Sequence, residues 1–212
     1  MEENIKKEVA YFMRRLYRKG LTTSLGGNIS CKYNDKIFIT PSQLDKGRIN
    51  SEHIGIVDFD GNNLTPSLKL SMETQMHISV YKKRPDVNAI VHAHPPCLSF
   101  FAVSRRKINS KLLGESRTLL GEPAYAKYAL MGSKELAEIV SKASKSSNIV
   151  ILENHGVLTL GENLITSFDR IEVGEIAARL SLFQNIQGNV RELNEQQLAE
   201  IDNLMKRTQY FY

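Results

Sequence analysis

The stretch Val87–Pro96, VNAIVHAHPP, predicts a buried β-strand that ends in two histidines and a double proline. Residues i and i+2 of a strand point to the same face, so His92 and His94 should project their imidazoles side by side where the strand ends. Two neutral imidazoles on one face are a good start for a divalent metal site. Two surface histidines at a strand end are the alternative, and the pair alone does not decide between these interpretations.

Outward from this strand, apolar periodicity predicts a mixture of helices and strands. The segment 97–129 is mixed in character and predicts one or two short strands. Strands mixed with helices, without strict βαβ alternation, predict an α/β fold on a mixed, largely antiparallel sheet. The pattern predicts helices over 3–19, from Ser71 to Arg84, from Ser133, over about 165–187 and about 194–207, and further strands over 28–32, 36–40, 54–59, 149–152 and 157–160.

The composition is that of an ordinary folded domain. Of the 212 residues 42% are hydrophobic and 24% are charged, and since no linker divides the chain we expect a single domain over 1–212. The net charge of +5 is spread along the chain, and the Arg105-Arg106-Lys107 cluster lacks interleaved aromatics. This distribution favours a small anionic substrate over a nucleic-acid partner.

Cysteine usage and the N-terminal sequence indicate in which cellular compartment the protein is expected. Cys31 and Cys97 are far apart in sequence, so neither a disulfide framework nor a cysteine zinc site is indicated. The N-terminal MEENIKKEVAYF lacks the apolar core of a signal peptide, and no apolar run approaches the roughly 20 residues that span a bilayer. We therefore expect a cytoplasmic protein without membrane contact.

A third histidine occupies a position comparable to the first two. His155 follows the strand 149–152, just before a glycine, so three imidazoles from two strand ends could meet at one ion. Three nitrogen ligands with an open fourth position describe a catalytic zinc site. Each histidine taken singly is more commonly incidental, but the three together favour a metal.

Proton transfer beside such a metal needs a carboxylate, for which Glu73, Glu153 and Asp86 are candidates. Glu73 is expected in the first turn of its helix, where the helix dipole favours the charged form. By position alone, an ordinary helix N-terminal carboxylate is the simpler interpretation. His77, one turn later, could contact Glu73, although a plain surface histidine is favoured, and nothing distinguishes His53.

Several turns carry groups that bind anions. The Gly26-Gly27 pair frees backbone N–H groups, and Asn28 adds donors. Thr40-Pro41-Ser42 and Ser71 supply hydroxyls, Ser71 at an expected helix N-terminus. Each signal is individually weak because these residues are first of all turn formers. Taken without further knowledge, the residues indicate a metalloenzyme that acts on a small anionic substrate.

The order of these motifs resembles the class II aldolase/adducin family over roughly residues 5–187. Within that family the similarity is greatest to the aldolases that cleave fuculose-1-phosphate-like sugars. Five ordered motifs at fitting spacings make a specific signal. The motifs are Gly27-Asn28-Ile29-Ser30, Thr40-Pro41-Ser42, Ser71-x-Glu73, His92-x-His94-Pro95 and Asn154-His155-Gly156.

The resemblance implies a three-layer α/β/α fold and a homotetramer with active sites between subunits. It also implies reversible cleavage of a ketose 1-phosphate to dihydroxyacetone phosphate and an aldehyde, with one zinc ion per subunit. Glu73 would be both the catalytic acid–base and a resting-state metal ligand beside His92, His94 and His155. The substrate phosphate would lie at Gly27, Asn28, Ser42, Gln43, Ser71 and Met72, and Tyr210 or Tyr212 would act at the C4 oxygen unless the C-terminus is a frayed tail.

Two positions depart from the family pattern. Gln43 stands where members often have glycine, and Met72 stands where fuculose-type enzymes have a second serine. A changed phosphate cradle, or a substrate other than fuculose phosphate, would follow. Three alternatives also stay open: sugar-phosphate 4-epimerases, which carry aspartate in place of Glu73, methylthioribulose-phosphate dehydratases, and adducin-like interaction modules without metal ligands.

Overall fold

The computed structural model describes residues 1–104 and 106–208. They form seven α-helices, seven β-strands and one short 3₁₀ helix at Ser51–His53. The helices are α1 (Glu2–Arg18), α2 (Thr74–Lys83), α3 (Pro96–Val103), α4 (Gly114–Leu120), α5 (Lys134–Ala143), α6 (Leu164–Gln187) and α7 (Glu195–Thr208). The strands are β1 (Asn28–Tyr33), β2 (Lys36–Ile39), β3 (Gly55–Asp58), β4 (Ala89–Ala93), β5 (Ala124–Ala126), β6 (Ile149–Leu152) and β7 (Gly156–Gly161).

The strands form one mixed sheet in the order β3-β2-β1-β4-β7-β6-β5. Every neighbouring pair is antiparallel except β5 and β6, which are parallel. The histidine strand β4 lies at the centre, where Asn28 of β1 and Leu158 of β7 are both register partners of His92. Side chains at the end of β4 and on the adjacent turns therefore lie close together, at one end of the central strands.

Helices cover both faces of this sheet, which confirms the three-layer α/β/α prediction. Helices α2 and α5 pack together on one face, and α1, α3, α4 and α6 lie on the other. Strand β4 alternates accordingly: Val91 and Ala93 join the α1/α3/α6 core, whereas Ile90 joins the α2/α5 core. His92 shares the face of Ile90, so it points toward α2.

Two regions differ from the sequence prediction. Helix α2 begins at Thr74, because the segment from Ser71 first makes a turn in which the Thr74 N–H donates to the Ser71 carbonyl at 3.1 Å. The segment 97–129 holds two helices and one strand. Helix α3 is missed because PCLSFFAV is apolar on nearly every side, so it shows no period.

No described helix is long and apolar enough to cross a membrane.

Candidate metal centre

Two of the predicted metal ligands lie at the end of the central strand β4. His92 is fully buried, and its ring centroid lies 4.8 Å from that of His94. The His92 Nδ1–H donates to the carbonyl oxygen of Val157 at 3.0 Å, since a carbonyl oxygen can only accept. This bond commits Nδ1 and leaves Nε2 of His92 as the atom that can bind a metal once it is unprotonated, the arrangement usual for metal-bound histidines.

The turn between β6 and β7 brings His155 to the same place. Asn154 takes the left-handed conformation, with φ 54°, which asparagine tolerates better than most residues. The ring of His155 lies 4.8 Å from that of His92 and 5.6 Å from that of His94, measured between centroids. One ligand atom from each histidine lies within 4.8 Å of the others, a spacing that can hold one metal ion.

Two glycines make this close approach sterically possible. A Cβ on Gly156 would lie 2.5 Å from Cδ2 of His94 and 2.6 Å from the Ala93 carbonyl oxygen. A Cβ on Gly27, whose φ is +67°, would lie 2.8 Å from the carbonyl oxygen of His92. Because real Cβ contacts of this length are essentially absent, both turns can pack against the end of β4 only with glycine at these positions.

Glu73 lies beside these rings as the residue that precedes helix α2. Its Oε2 is 3.1 Å from Nε2 of His92, and its Oε1 is 3.1 Å from Nε2 of His155. Burial alone would raise the pKa of Glu73, but the charges of His92 and His155 and their side-chain contacts outweigh it and hold that pKa well below its usual range. The carboxylate is therefore ionised at neutral pH.

Several buried polar atoms of this cluster lie close to one another but make no well-directed hydrogen bond within residues 1–104 and 106–208. They are Nε2 of His92, Oε1 of Glu73 and Nδ1 of His155. Burial, followed by the neighbouring His92 and His155, lowers the pKa of His94 to about 3, so its ring is neutral. Neutral imidazoles and carboxylates are the forms that bind metals. The donor set therefore fits a divalent cation.

A cavity of about 300 Å³ opens above the cluster. All six predicted phosphate-binding positions line it, together with Glu73, His94 and His155. Neither of the other candidate carboxylates lines it: Glu153 accepts a hydrogen bond from the backbone N–H of Tyr128, and Asp86 pairs with Arg84. The lining residues are Leu25, Gly26, Gly27, Asn28, Pro41, Ser42, Gln43, Lys46, Lys69, Ser71, Met72, Glu73, His94, Met131 and His155.

Three of the predicted phosphate positions have unexpected local structure. Ser71 is not the helix N-cap, and its Oγ accepts a hydrogen bond from the backbone N–H of Glu73 at 3.3 Å. Gln43 has φ 60°, the left-handed conformation that favours glycine. Met72 is 68% exposed at the mouth of the cavity. The predicted tyrosines, Tyr210 and Tyr212, lie outside the described residues.

The sequence did not reveal the roles of two buried residues near the site. Lys46 is 1% exposed and lines the cavity, and its Nζ donates to the Pro41 carbonyl. Burial lowers the pKa of Lys46 to about 8. His77 is fully buried, so the expectation of a surface histidine was wrong, and its side chain reaches the Glu73 carboxylate through Asn28 rather than directly. Its spacing of one helical turn from Glu73 was the only sequence signal.

Known proteins resemble this chain over nearly its whole length. The family model of the class II aldolase and adducin N-terminal domain matches residues 7–182. An L-fuculose phosphate aldolase from Methanocaldococcus jannaschii is 35% identical over 177 residues, which are 84% of this chain and 95% of that protein. A 3-oxo-tetronate 4-phosphate decarboxylase from Haemophilus influenzae is 28% identical over 196 residues, 90% of this chain and 92% of that protein.

Solved structures of related aldolases have the same fold as this protein. A solved L-fuculose 1-phosphate aldolase structure superposes with a TM-score of 0.87 at 28% identity, and the match covers 96% of each chain. The family model spans most of the chain, and the archaeal relative is aligned over 84% of it at 35% identity. We conclude that this protein belongs to the class II aldolase and adducin family.

Proposed function

We propose that this protein is a zinc-dependent aldolase that reversibly cleaves a ketose 1-phosphate to dihydroxyacetone phosphate and an aldehyde. The observation that carries the proposal is the convergence of three imidazoles and one buried carboxylate beside a cavity that His94, His155 and Glu73 line. The similarity to L-fuculose phosphate aldolases supports a fuculose-1-phosphate-like substrate.

His92, His94 and His155 would hold one zinc ion per subunit, with Glu73 as a further ligand in the resting state. When bound, the cation supplies Lewis-acid stabilisation of the negative charge that develops on the ketose oxygens during cleavage. The position of His92 supports this assignment, because its Nδ1 is already committed to Val157 and its Nε2 faces the Glu73 carboxylate at 3.1 Å.

Glu73 would handle the proton at C3 of the substrate. In cleavage the C4 hydroxyl loses its proton to a base, and the C3–C4 electron pair stays with the dihydroxyacetone phosphate enediolate. Glu73, which must first take up a proton from solvent, then delivers it to C3 and returns to the carboxylate. In synthesis the Glu73 carboxylate removes that proton. Its position beside the three histidines supports this role. Tyr210 and Tyr212 are our candidates for the base at the C4 oxygen.

The cavity would hold the substrate phosphate at Gly27, Asn28, Ser42, Gln43, Ser71 and Met72. A phosphate dianion in a cavity needs opposite charge, and two lysines line this one. Lys46 is buried and has no carboxylate partner in the described part of the chain, whereas Lys69 is exposed. These cations could compensate for the hydroxyl that Met72 lacks, which supports a phosphorylated substrate.

The active sites would lie between subunits of a homotetramer. Leu25, Met72 and Met131 line the cavity and are 63%, 68% and 54% exposed. Large apolar side chains grouped at one place on a surface favour burial against another chain. We propose that a neighbouring subunit covers this mouth of the cavity.

Similarity to one of the relatives supports a second reaction as an alternative. The Haemophilus influenzae relative is a 3-oxo-tetronate 4-phosphate decarboxylase. Loss of carbon dioxide from a 3-oxo acid leaves an enediolate-like charge that the same donor set could stabilise. Decarboxylation of a sugar-acid phosphate is therefore our alternative.

The test measures dihydroxyacetone phosphate release from the 1-phosphates of fuculose, rhamnulose, ribulose and 5-deoxyribulose. Release should require zinc, and Glu73→Gln should slow it by about 10²–10⁴-fold, the usual contribution of a general acid–base. Glu52→Gln, an exposed carboxylate next to the 3₁₀ helix start, is the matched control and should be unchanged. No release from any ketose phosphate by protein that carries one zinc per chain would refute the aldolase, and carbon dioxide release from a 3-oxo acid phosphate would support the alternative.

A further inference from the structure

We infer that His77 is a positioning residue that orients the Asn28 amide and, through it, the Glu73 carboxylate. The carboxylate's part in catalysis rests on the proposed function, but the chain of contacts does not. His77 lies in helix α2, Asn28 in strand β1 and Glu73 just before α2. The three side chains meet between the sheet and the helix, beneath the metal-binding histidines.

The contacts form one continuous hydrogen-bonded chain. Asn28 Nδ2 is 2.8 Å from Glu73 Oε2, and Asn28 Oδ1 is 2.6 Å from His77 Nε2. Nδ1 of His77 is 2.7 Å from Oγ of Ser30, which is in turn 2.8 Å from the hydroxyl of Tyr81. His77 and Ser30 are fully buried, and Tyr81 and Asn28 are 2% and 3% exposed, so water does not compete for these bonds.

The direction of every bond follows from the carboxylate at one end. An ionised carboxylate only accepts, so Asn28 must present its amide nitrogen to Glu73 and its carbonyl oxygen to His77. Nε2 of His77 must then carry the proton, and Nδ1 accepts from the Ser30 hydroxyl. The Ser30 oxygen is left to accept from Tyr81. One neutral tautomer of His77 therefore satisfies the whole chain.

The surroundings of His77 support the neutral form. Burial, followed by the nearby charge of His92, lowers the pKa of His77 to about 3 against the opposing effect of Glu73. If the Asn28 amide were flipped, its carbonyl would face the Glu73 carboxylate, and two acceptors would be buried in contact without a proton between them. His77 adds to this preference, because its Nε2–H would face the NH2 group of a flipped Asn28 amide, donor against donor.

This chain of hydrogen bonds also limits which groups of Asn28 are free to bind a substrate. Its side-chain carbonyl oxygen and one side-chain amide proton are used internally, so at most one side-chain N–H is left for the phosphate. The primary role of Asn28 is then to fix the position of Glu73 Oε2, and phosphate binding is secondary.

The first experiment uses metal-free protein labelled with ¹⁵N-histidine and reads tautomers from long-range ¹H–¹⁵N correlations. One histidine, absent from the spectrum of His77→Gln, should carry its proton on Nε2 and stay unchanged from pH 5 to pH 8. A proton on Nδ1, or on both nitrogens, would overturn the inference. This result does not depend on any activity.

The second experiment compares His77→Phe, His77→Gln and the control His53→Phe in zinc-loaded protein. His77→Phe removes the donor and should lower kcat by about 10–100-fold, as for other outer-shell partners, while KM changes less than about threefold. His77→Gln keeps a donor and an acceptor and should recover most of kcat, and His53→Phe should match wild type. A kcat that is equally low in both His77 variants, or unchanged in folded His77→Phe, would overturn the inference, whereas an inactive wild type would overturn the proposed function instead.

Discussion

Replacement of Gly156 by alanine should damage the candidate metal centre more than the small size of the added methyl group suggests. The added Cβ would lie 2.5 Å from Cδ2 of His94 and 2.6 Å from the carbonyl oxygen of Ala93. His94 can turn its ring, but the Ala93 carbonyl is backbone and is held by the pairing of β4 with β7. The two strands must therefore separate at the point where His94 and His155 leave them.

The size of this shift can be worked out from the contacts. Ordinary van der Waals contact begins at 3.4 Å, so the backbone must open by roughly 0.8 Å. Functional groups must usually stay within about 0.5 Å of their productive positions, so the three imidazoles would no longer fit one ion well. We expect zinc affinity to fall by about 10–100-fold. Overpacking of this kind should also lower the free energy of unfolding by about 1–3 kcal/mol.

The assay titrates metal-free protein with zinc against a chromophoric chelator and measures urea unfolding of the same samples. Gly114→Ala is the control, because its Cβ would meet only Ile201 Cδ1 at 3.7 Å. That variant should bind zinc like wild type and gain up to about 1 kcal/mol. A Gly156→Ala protein that binds zinc within twofold of wild type, with an unchanged urea midpoint, would refute the steric argument.

Three further substitutions test other parts of the structure. Gln43→Gly should raise the free energy of unfolding by about 0.5–1 kcal/mol. Glycine relieves about 1–2 kcal/mol of strain in the left-handed backbone conformation, which exceeds its entropy cost. A lower urea midpoint would contradict this. In the folded protein the pKa of Lys46 is about 8, against an ordinary value of 10.5, so between these pH values the folded state binds fewer protons than the unfolded state. The stability of wild type relative to Lys46→Met should therefore rise as the pH increases from 8 to 10.5. The gain should reach at most about 3 kcal/mol by urea unfolding, and parallel pH profiles would count against it. Glu175 accepts 2.9 Å hydrogen bonds from the backbone N–H groups of Cys97 and Leu98 at the start of α3, so Glu175→Gln should lose about 1–3 kcal/mol, and an unaltered thermal midpoint would exclude this cap.

The central sheet and the histidine cluster could be predicted because both depend on local patterns. The apolar run of β4 predicted a buried strand, and the strand period of two predicted that His92 and His94 lie on the same side. The turn at His155 was readable from the strand that precedes it. The expectation that His155 lies near His92 and His94 assumed that their strands end side by side. The pairing of β4 with β7 explains why they do.

The parts that could not be predicted depend on distant residues. Helix α3 lacks a polar stripe, and its N-terminus is capped by Glu175, 78 positions away from Cys97. His77 was expected on the surface because its helix alone does not show that Asn28 and Ser30 of β1 cover it. In both cases a polar group is satisfied by tertiary structure, and nothing nearby in the sequence marks it.

The central position of β4 has a consequence for how the protein folds. The hairpin of β1 and β2 closes between Tyr33 and Lys36, but the contact that orients His92 joins it to Val157, 65 positions away. Contacts between distant segments form slowly, because a long loop must close before they gain anything. The candidate metal centre should therefore be assembled late in folding, when three distant segments have already come together. Zinc bound there, as proposed, would then slow the unfolding of the finished protein without speeding its refolding.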